Sequence, residues 1–128
     1  MDETPRYLGL QHASLLVADL DRALAFYCGV LGLERLPRPA LDFDGAWLAA
    51  GRQQIHLLAL PSPDPVDGRP VHGGRDRHLA LELHGLTALR RRLEAAGVPY
   101  RLSRSGRAAL FCRDPDGNAL EFLEAPAG

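Results

Sequence analysis

Residues 12–31 read HASLLVADLDRALAFYCGVL, and their pattern is repeated by HLALELHGLTALRRRLEAAG at residues 78–97. In both copies a histidine opens a short apolar segment typical of a strand. Eight residues after that histidine, at Leu20 and at Leu86, apolar residues begin to recur at helical spacing, and Asp19 offers the first helix a cap. The predicted first strands are residues 10–18 and 78–83. The sequence therefore predicts an internal repeat of a strand followed by a helix.

Three short apolar segments typical of strands follow each predicted helix. They are residues 33–36, 46–50 and 54–60 in the first half, and residues 99–102, 108–113 and 119–123 in the second. The two sets correspond, because Gly32 and Gly97, which end the helices, lie 65 residues apart, and so do His56 and Glu121. We therefore predict an α+β fold of two tandem βαβββ modules, with helices on one face of the sheet.

A segment rich in proline and glycine separates the two halves. Residues 61–77 contain four prolines and three glycines among several charged residues, a composition typical of a surface loop. A chain of 128 residues has the length of one ordinary domain. We predict a single domain over residues 1–128, with module one at about 8–60, this linker, and module two at about 78–125.

The charged residues exclude several classes of function. All 15 basic residues are arginine, so neither a lysine Schiff base nor a phosphate-binding P-loop lysine is available. The formal net charge of -1 gives no general attraction to nucleic acid or to anionic lipid. No apolar run approaches the roughly 20 residues that a membrane helix needs, and residues 1–6 are polar where we would expect a secretory signal to be basic and then apolar. We expect a cytoplasmic protein with neither a nucleic-acid nor a membrane partner.

The repeat places four candidate metal ligands at equivalent positions. His12 and His78 lie on the first strands of the modules, and His56 and Glu121 lie on the last strands. Because side chains alternate between the two faces of a strand, the flanking apolar residues point each candidate away from the helices. Imidazole and carboxylate donors suit Zn, Ni, Fe, Co or Mn. We predict a divalent metal ion at these four residues. Glu121 is also the predicted catalytic base, and Glu82 is an alternative base. The alternative interpretation is that the four residues are polar side chains on a solvated face.

Three further residues are candidates for substrate binding. Trp47 lies on a strand that leads toward His56, where it either lines the site or fills the core. Arg104 and Arg107 flank a Ser-Gly turn, where a guanidinium could hold a carboxylate or phosphate by two contacts or remain solvated. Four protein ligands leave a six-coordinate ion two open positions for oxygen atoms of a small-molecule substrate.

These residues, in this order and spacing, resemble the vicinal oxygen chelate superfamily, which includes glyoxalase I, fosfomycin-resistance proteins, bleomycin-resistance proteins and extradiol dioxygenases. The resemblance rests on Gln11–Ser14, Asp19–Ala23, Phe26–Tyr27, Val30–Leu33, His78–Leu81 and Asp114–Asn118 with Glu121. It implies paired modules forming a cupped mixed sheet with the helices outside, a metal ion in the cup and a homodimer. The ligand positions of the superfamily fall on His12, His56, His78 and Glu121. His56 stands where glyoxalase I proteins generally have a carboxylate, so Glu121 would be the single carboxylate of the set.

The resemblance leaves three functions open. The first is a metal-dependent enzyme with glyoxalase-type isomerase or lyase chemistry on a small oxygenated substrate. The second is an Fe(II) ring-cleaving dioxygenase, whose two histidines and one carboxylate would be His12, His78 and Glu121. The third is a metal-free protein that binds a small ligand in its dimer cleft, as bleomycin-resistance proteins do. The presence of all four candidate ligands favours the first over the third. Whether a metal site would lie within one chain or across two stays open.

Overall fold

The computed structural model describes residues 3–127 and contains two four-stranded sheets. The first sheet consists of β1 (His12–Leu16), β2 (Glu34–Leu36), β3 (Gly45–Ala50) and β4 (Gln53–Leu58), in the order β1-β4-β3-β2. The second consists of β5 (His78–Leu83), β6 (Tyr100–Leu102), β7 (Ala109–Arg113) and β8 (Ala119–Glu124), in the order β5-β8-β7-β6. In each sheet the first and last strands pair in parallel, whereas the other pairs are antiparallel. Residues 1, 2 and 128 of the predicted domain lie outside the described residues.

Each sheet has one helical segment between its first and second strands, so the predicted βαβββ repeat is confirmed. The first segment is α1 (Leu20–Leu24), and the second is α2 (Leu86–Ala95). Asp19 caps α1 as expected, because its carboxylate accepts a hydrogen bond from Arg22 N at 3.0 Å. Within residues 3–127, no helix has the length and apolar character needed to cross a membrane.

The first helix differs from its prediction in its second half. After α1 the chain forms a π-helical turn at Ala25–Val30, and Leu31 N donates to Phe26 O at 2.9 Å. This wider turn accompanies the burial of two consecutive aromatic residues, Phe26 at 5% exposure and Tyr27 at 0%. Regular helical spacing does not anticipate it, because neighbouring residues of an α-helix point about 100° apart.

The first strand is shorter than the predicted range of 10–18. The apolar residues before it do not join the sheet, and Tyr7, Leu8 and Leu10 are each at least 80% exposed. Apolar character alone therefore overestimated the length of β1, because a strand also needs a neighbouring strand to pair with.

The covered faces of both sheets and the helices share one apolar core. Its buried members include Val17, Tyr27, Leu48, Ile55 and Leu57 from the first module and Leu89, Leu93, Leu110, Leu120 and Phe122 from the second. The turn between β7 and β8 connects the modules by hydrogen bonds. Asp114 Oδ2 accepts from Tyr27 Oη at 2.6 Å, and Asp116 Oδ1 accepts from Ala18 N at 2.9 Å. Asn118 Nδ2 donates to Leu16 O at 3.2 Å.

The end of the linker lies on the second sheet. We call residues 69–77 the strap. Its 3₁₀ turn at Gly73–Arg75 packs on β7 and β8, where a Cβ at Gly73 would lie only 3.4 Å from Ala119 Cβ. Arg113 anchors the strap, donating to Asp76 Oδ2 at 2.8 Å and to Pro70 O at 2.6 Å. The strap is therefore a fixed part of the second module rather than a free surface loop.

Candidate metal centre

Three rings stack across the open face of the first sheet. Trp47 on β3 lies directly opposite His56 on β4, and their ring centroids are 4.4 Å apart at an interplanar angle of 7°. His12, on the neighbouring β1, stacks on the other side of His56 at 4.0 Å and 16°. Trp47 is thus half-buried beside two predicted metal ligands and lies outside the core cluster of buried residues.

Hydrogen bonds decide which nitrogen of each of these histidines is available to a metal. His56 Nε2 lies 2.8 Å from Gln54 Oε1, and His12 Nδ1 is hydrogen-bonded to Gln11 Oε1. Because an amide oxygen only accepts hydrogen bonds, these contacts favour the tautomer of each ring that carries the proton on the bonded nitrogen. In the neutral ring, His56 Nδ1 and His12 Nε2 then keep the lone pair that a metal ion needs.

The surroundings of His56 favour the neutral ring. Burial lowers the pKa of His56, and the nearby His12 and Arg38 lower it further by charge repulsion. A metal ion binds the neutral imidazole, so this environment favours the form of His56 that can act as a ligand.

The other two candidates form a pair on the second sheet. His78 Nε2 on β5 lies 3.1 Å from Glu121 Oε1 on β8. His78 Nδ1 donates to the backbone carbonyl of Asp76 at 2.9 Å, an arrangement that typically orients metal-binding histidines. Two adjacent donor atoms on an ion with bonds of about 2.1 Å are about 3.0 Å apart. The donor types and the spacing of this pair therefore fit one side of a metal site.

Aromatic rings border the second pair. Phe111 lies directly opposite Glu121 in the sheet, and its ring is edge-on to His78 at 5.7 Å. The ring of His72, in the strap, meets Phe111 at 4.9 Å, and His72 Nδ1 accepts a hydrogen bond from Gly74 N at 3.0 Å. Sequence reasoning placed His72 in a solvated loop. The two glycines after it were the available signal, because they allow the chain to approach the sheet closely.

The arginines of the second module differ in their contacts. Arg107 Nη2 donates to Glu121 Oε2 at 3.1 Å, whereas Arg104 makes no hydrogen bond or ion pair with residues 3–127. Arg113 holds the strap. Glu82, the alternative base, is exposed on β5.

The structure brings the four predicted ligands together as two pairs, one pair on each sheet. Both pairs bridge the parallel strands of their module, as the repeat predicts. Among residues 3–127, however, no three His, Cys, Asp or Glu side chains form a group that could hold a metal ion. The described part of the chain therefore holds the four residues as two separate pairs and does not assemble the set of four.

Comparison with known proteins gives consistent matches across the chain. The family model described as the Glyoxalase/Bleomycin resistance protein/Dioxygenase superfamily matches residues 9–122. The protein named Glyoxylase I 4 from Arabidopsis thaliana is 33% identical over 119 residues, which are 88% of this chain and 68% of that protein. A glyoxalase family protein from Bacillus anthracis has a crystal structure that matches with a TM-score of 0.78 and 23% identity, covering 96% of this chain and 100% of that one. A variant of the fosfomycin resistance protein FosX from Listeria monocytogenes, in complex with Mn(II) and dihydroxypropylphosphonic acid, matches with a TM-score of 0.73 and 19% identity over 94% and 95% of the two chains.

Proposed function

Because the chain belongs to the glyoxalase/bleomycin resistance protein/dioxygenase superfamily, we propose that it is a divalent-metal-dependent enzyme with glyoxalase-type isomerase or lyase chemistry on a small oxygenated substrate. The observation that carries this proposal is the pair of His78 Nε2 and Glu121 Oε1, 3.1 Å apart, with His78 oriented by the Asp76 carbonyl. The relative named Glyoxylase I 4 supports an enzymatic activity, and the Mn(II) complex of FosX supports a divalent ion.

We propose further that the full ligand set forms across a homodimer. In a dimer with twofold symmetry, His12 and His56 of one protomer would meet His78 and Glu121 of its partner, giving two equivalent sites. The separation of the two pairs within one chain supports this arrangement.

The surface of the chain also offers room for a second copy. β1 and β5 are both edge strands, and a groove of about 970 Å³ runs between them, lined in part by Leu79, Leu81 and Leu83. The exposed apolar residues of the amino-terminal segment adjoin β1. Unpaired strand edges and exposed apolar side chains are typical of surfaces that a partner covers.

The chemistry assigned to each residue follows from its place in this site. The bound ion would supply Lewis acidity that polarises a substrate carbonyl. Glu121, on leaving the ion, or a bound water would take a proton from the carbon beside that carbonyl and return it to the neighbouring atom. Trp47 would give the substrate an apolar wall, and Arg104, which has no hydrogen bond or ion pair within residues 3–127, would meet a carboxylate or phosphate group.

Metal analysis of the purified protein tests the proposal. We expect about one divalent ion per chain in the wild type and loss of that ion in the His78→Ala variant. The His84→Ala variant is the matched control, because His84 is 75% exposed and its nearest charged partner is Glu124 at 3.6 Å. A well-folded wild type that binds no stoichiometric metal would contradict the proposal.

The reaction can be tested without knowing the natural substrate. For α-hydroxy ketones, as small oxygenated probes, we expect the metal-loaded protein to exchange the hydrogen beside the carbonyl for deuterium in D₂O, as measured by NMR. Oxygen consumption with catechols, and no such exchange, would favour dioxygenase chemistry instead.

A further inference from the structure

Both oxygens of the Glu121 carboxylate have a partner in the structure. Oε1 faces His78 Nε2, and Oε2 accepts a hydrogen bond from Arg107 Nη2, each at 3.1 Å. The guanidinium of Arg107 is itself fixed, because its Nε donates to Ser105 Oγ at 3.2 Å. Gly106, at a φ of +82°, makes the turn that presents Arg107 to the sheet. Two contacts therefore orient the planar group that holds Glu121.

The two partners of this ion pair are buried to different extents. The side chain of Glu121 is 6% exposed, whereas that of Arg107 is 61% exposed. A carboxylate so deeply buried depends on its few hydrogen-bond donors for its orientation. The charge of the guanidinium, in contrast, is largely screened by solvent. The contact consequently matters more for the placement of Glu121 than for the placement of Arg107.

We propose that Arg107 is a positioning residue of the candidate metal centre, which holds Glu121 Oε2 so that Oε1 faces His78 Nε2 and both atoms can bind one divalent ion. This inference rests on the proposed function, because it concerns the same site. It gives Arg107 a role different from the substrate contact that the sequence predicts. Hydrogen bonds to the other oxygen of a metal-binding carboxylate typically raise the metal affinity by about 10–100-fold.

A competing role for Arg107 predicts the opposite change in metal affinity when Arg107 is removed. If the guanidinium acted only as a positive charge near the ion, its removal would tighten metal binding. If it positions Glu121, its removal weakens binding. The direction of the change in affinity therefore separates the two roles.

Calorimetric titration of the metal-stripped full chain with Co²⁺ tests this inference. We expect Arg107→Met to weaken the affinity by about 10–100-fold relative to the wild type. Arg107→Lys should recover part of the loss, because an ammonium can still donate to Oε2 as a single contact. Arg91→Met, which removes an exposed arginine of α2, should leave the affinity unchanged. Thermal unfolding of the metal-free variants shows that each is folded.

The outcomes distinguish this inference from the proposed function. Wild-type or tighter Co²⁺ affinity in both Arg107 variants would overturn the positioning role and leave the metal site intact. A folded wild type that binds no Co²⁺ would overturn the metal site itself, and the role of Arg107 with it.

Discussion

A hydrogen bond to an amide oxygen selects the free nitrogen in two of the three predicted histidine ligands, His12 and His56. The acceptors are the side-chain oxygens of Gln11 and Gln54, whereas the two ring nitrogens of His78 face the backbone carbonyl of Asp76 and Glu121 Oε1. The spacing of the histidines predicts that they share a face with Glu121, because strand side chains alternate. It does not predict these partners, since which neighbour a ring bonds depends on side-chain rotamers that the sequence pattern does not specify.

Tyr27 offers a test of the hydrogen bonds that join the modules. Its hydroxyl donates to Asp114 Oδ2 at 2.6 Å, and Asp114 is only 5% exposed. Tyr27→Phe keeps the ring but removes one donor from a buried carboxylate, so we expect the free energy of unfolding to fall by about 1.5–3 kcal/mol. Urea unfolding measures the loss. Tyr7→Phe is the matched control, because Tyr7 is 88% exposed; equal urea midpoints for the two variants would refute the role of this bond.

At the scale of elements, α2 begins without a side-chain cap of its own. Its N-cap residue is Gly85, in a left-handed conformation at a φ of +110°. The carboxylate of Glu124, at the end of β8, accepts hydrogen bonds from Gly85 N at 3.2 Å and from Leu86 N at 3.0 Å. A residue 38 positions away in the chain from Leu86 thus accepts the hydrogen bonds of the first backbone N–H groups of the helix. No local capping motif in the sequence indicates this contact.

The capping role of Glu124 makes stability depend on pH. The hydrogen bonds from Leu86 and Gly85 lower the pKa of Glu124 below its ordinary value of 4.5. A carboxyl whose pKa is lowered by folding stabilises the protein above its unfolded-state pKa, and this contribution is lost as the pH falls through the folded-state pKa. We therefore expect Glu124→Gln to lower the urea midpoint at pH 7 and to differ less from the wild type at pH 3.

The control for this prediction is Glu34→Gln, which neutralises an exposed carboxyl on β2. Its effect on the urea midpoint should be small at both pH values. A pH-independent difference between Glu124→Gln and the wild type would show that the charge of Glu124 does not act through the cap.

At the scale of the whole molecule, the repeat allowed most of the architecture to be predicted. Equivalent histidines, helix-ending glycines and last strands in the two halves predict two βαβββ modules, and the structure contains them. The strap was not anticipated as part of the second sheet, because its anchor is Arg113, far along the sequence from Pro70. Composition identifies a loop, but the surface on which a loop packs depends on contacts that are distant in the chain.

The arrangement of the two pairs in the candidate site also cannot be predicted from one sequence. The repeat correctly relates His12 to His78 and His56 to Glu121, yet it does not say whether equivalent positions meet within a chain or between chains. In the structure the pairs occupy separate sheets. We therefore propose that these residues form a metal centre only when a second copy of the chain supplies the other pair.

Mixing two inactive variants tests that claim most directly. One variant carries His12→Ala with His56→Ala, and the other carries His78→Ala with Glu121→Ala, so neither homodimer has an intact site. After subunit exchange, a heterodimer would contain one wild-type site, formed by the intact pair of each chain. Because random exchange makes half of the dimers heterodimers, we expect Co²⁺ binding at about a quarter of the wild-type stoichiometry. Heterodimers that bind no Co²⁺, when wild-type dimers bind it, would contradict a metal site built across two chains.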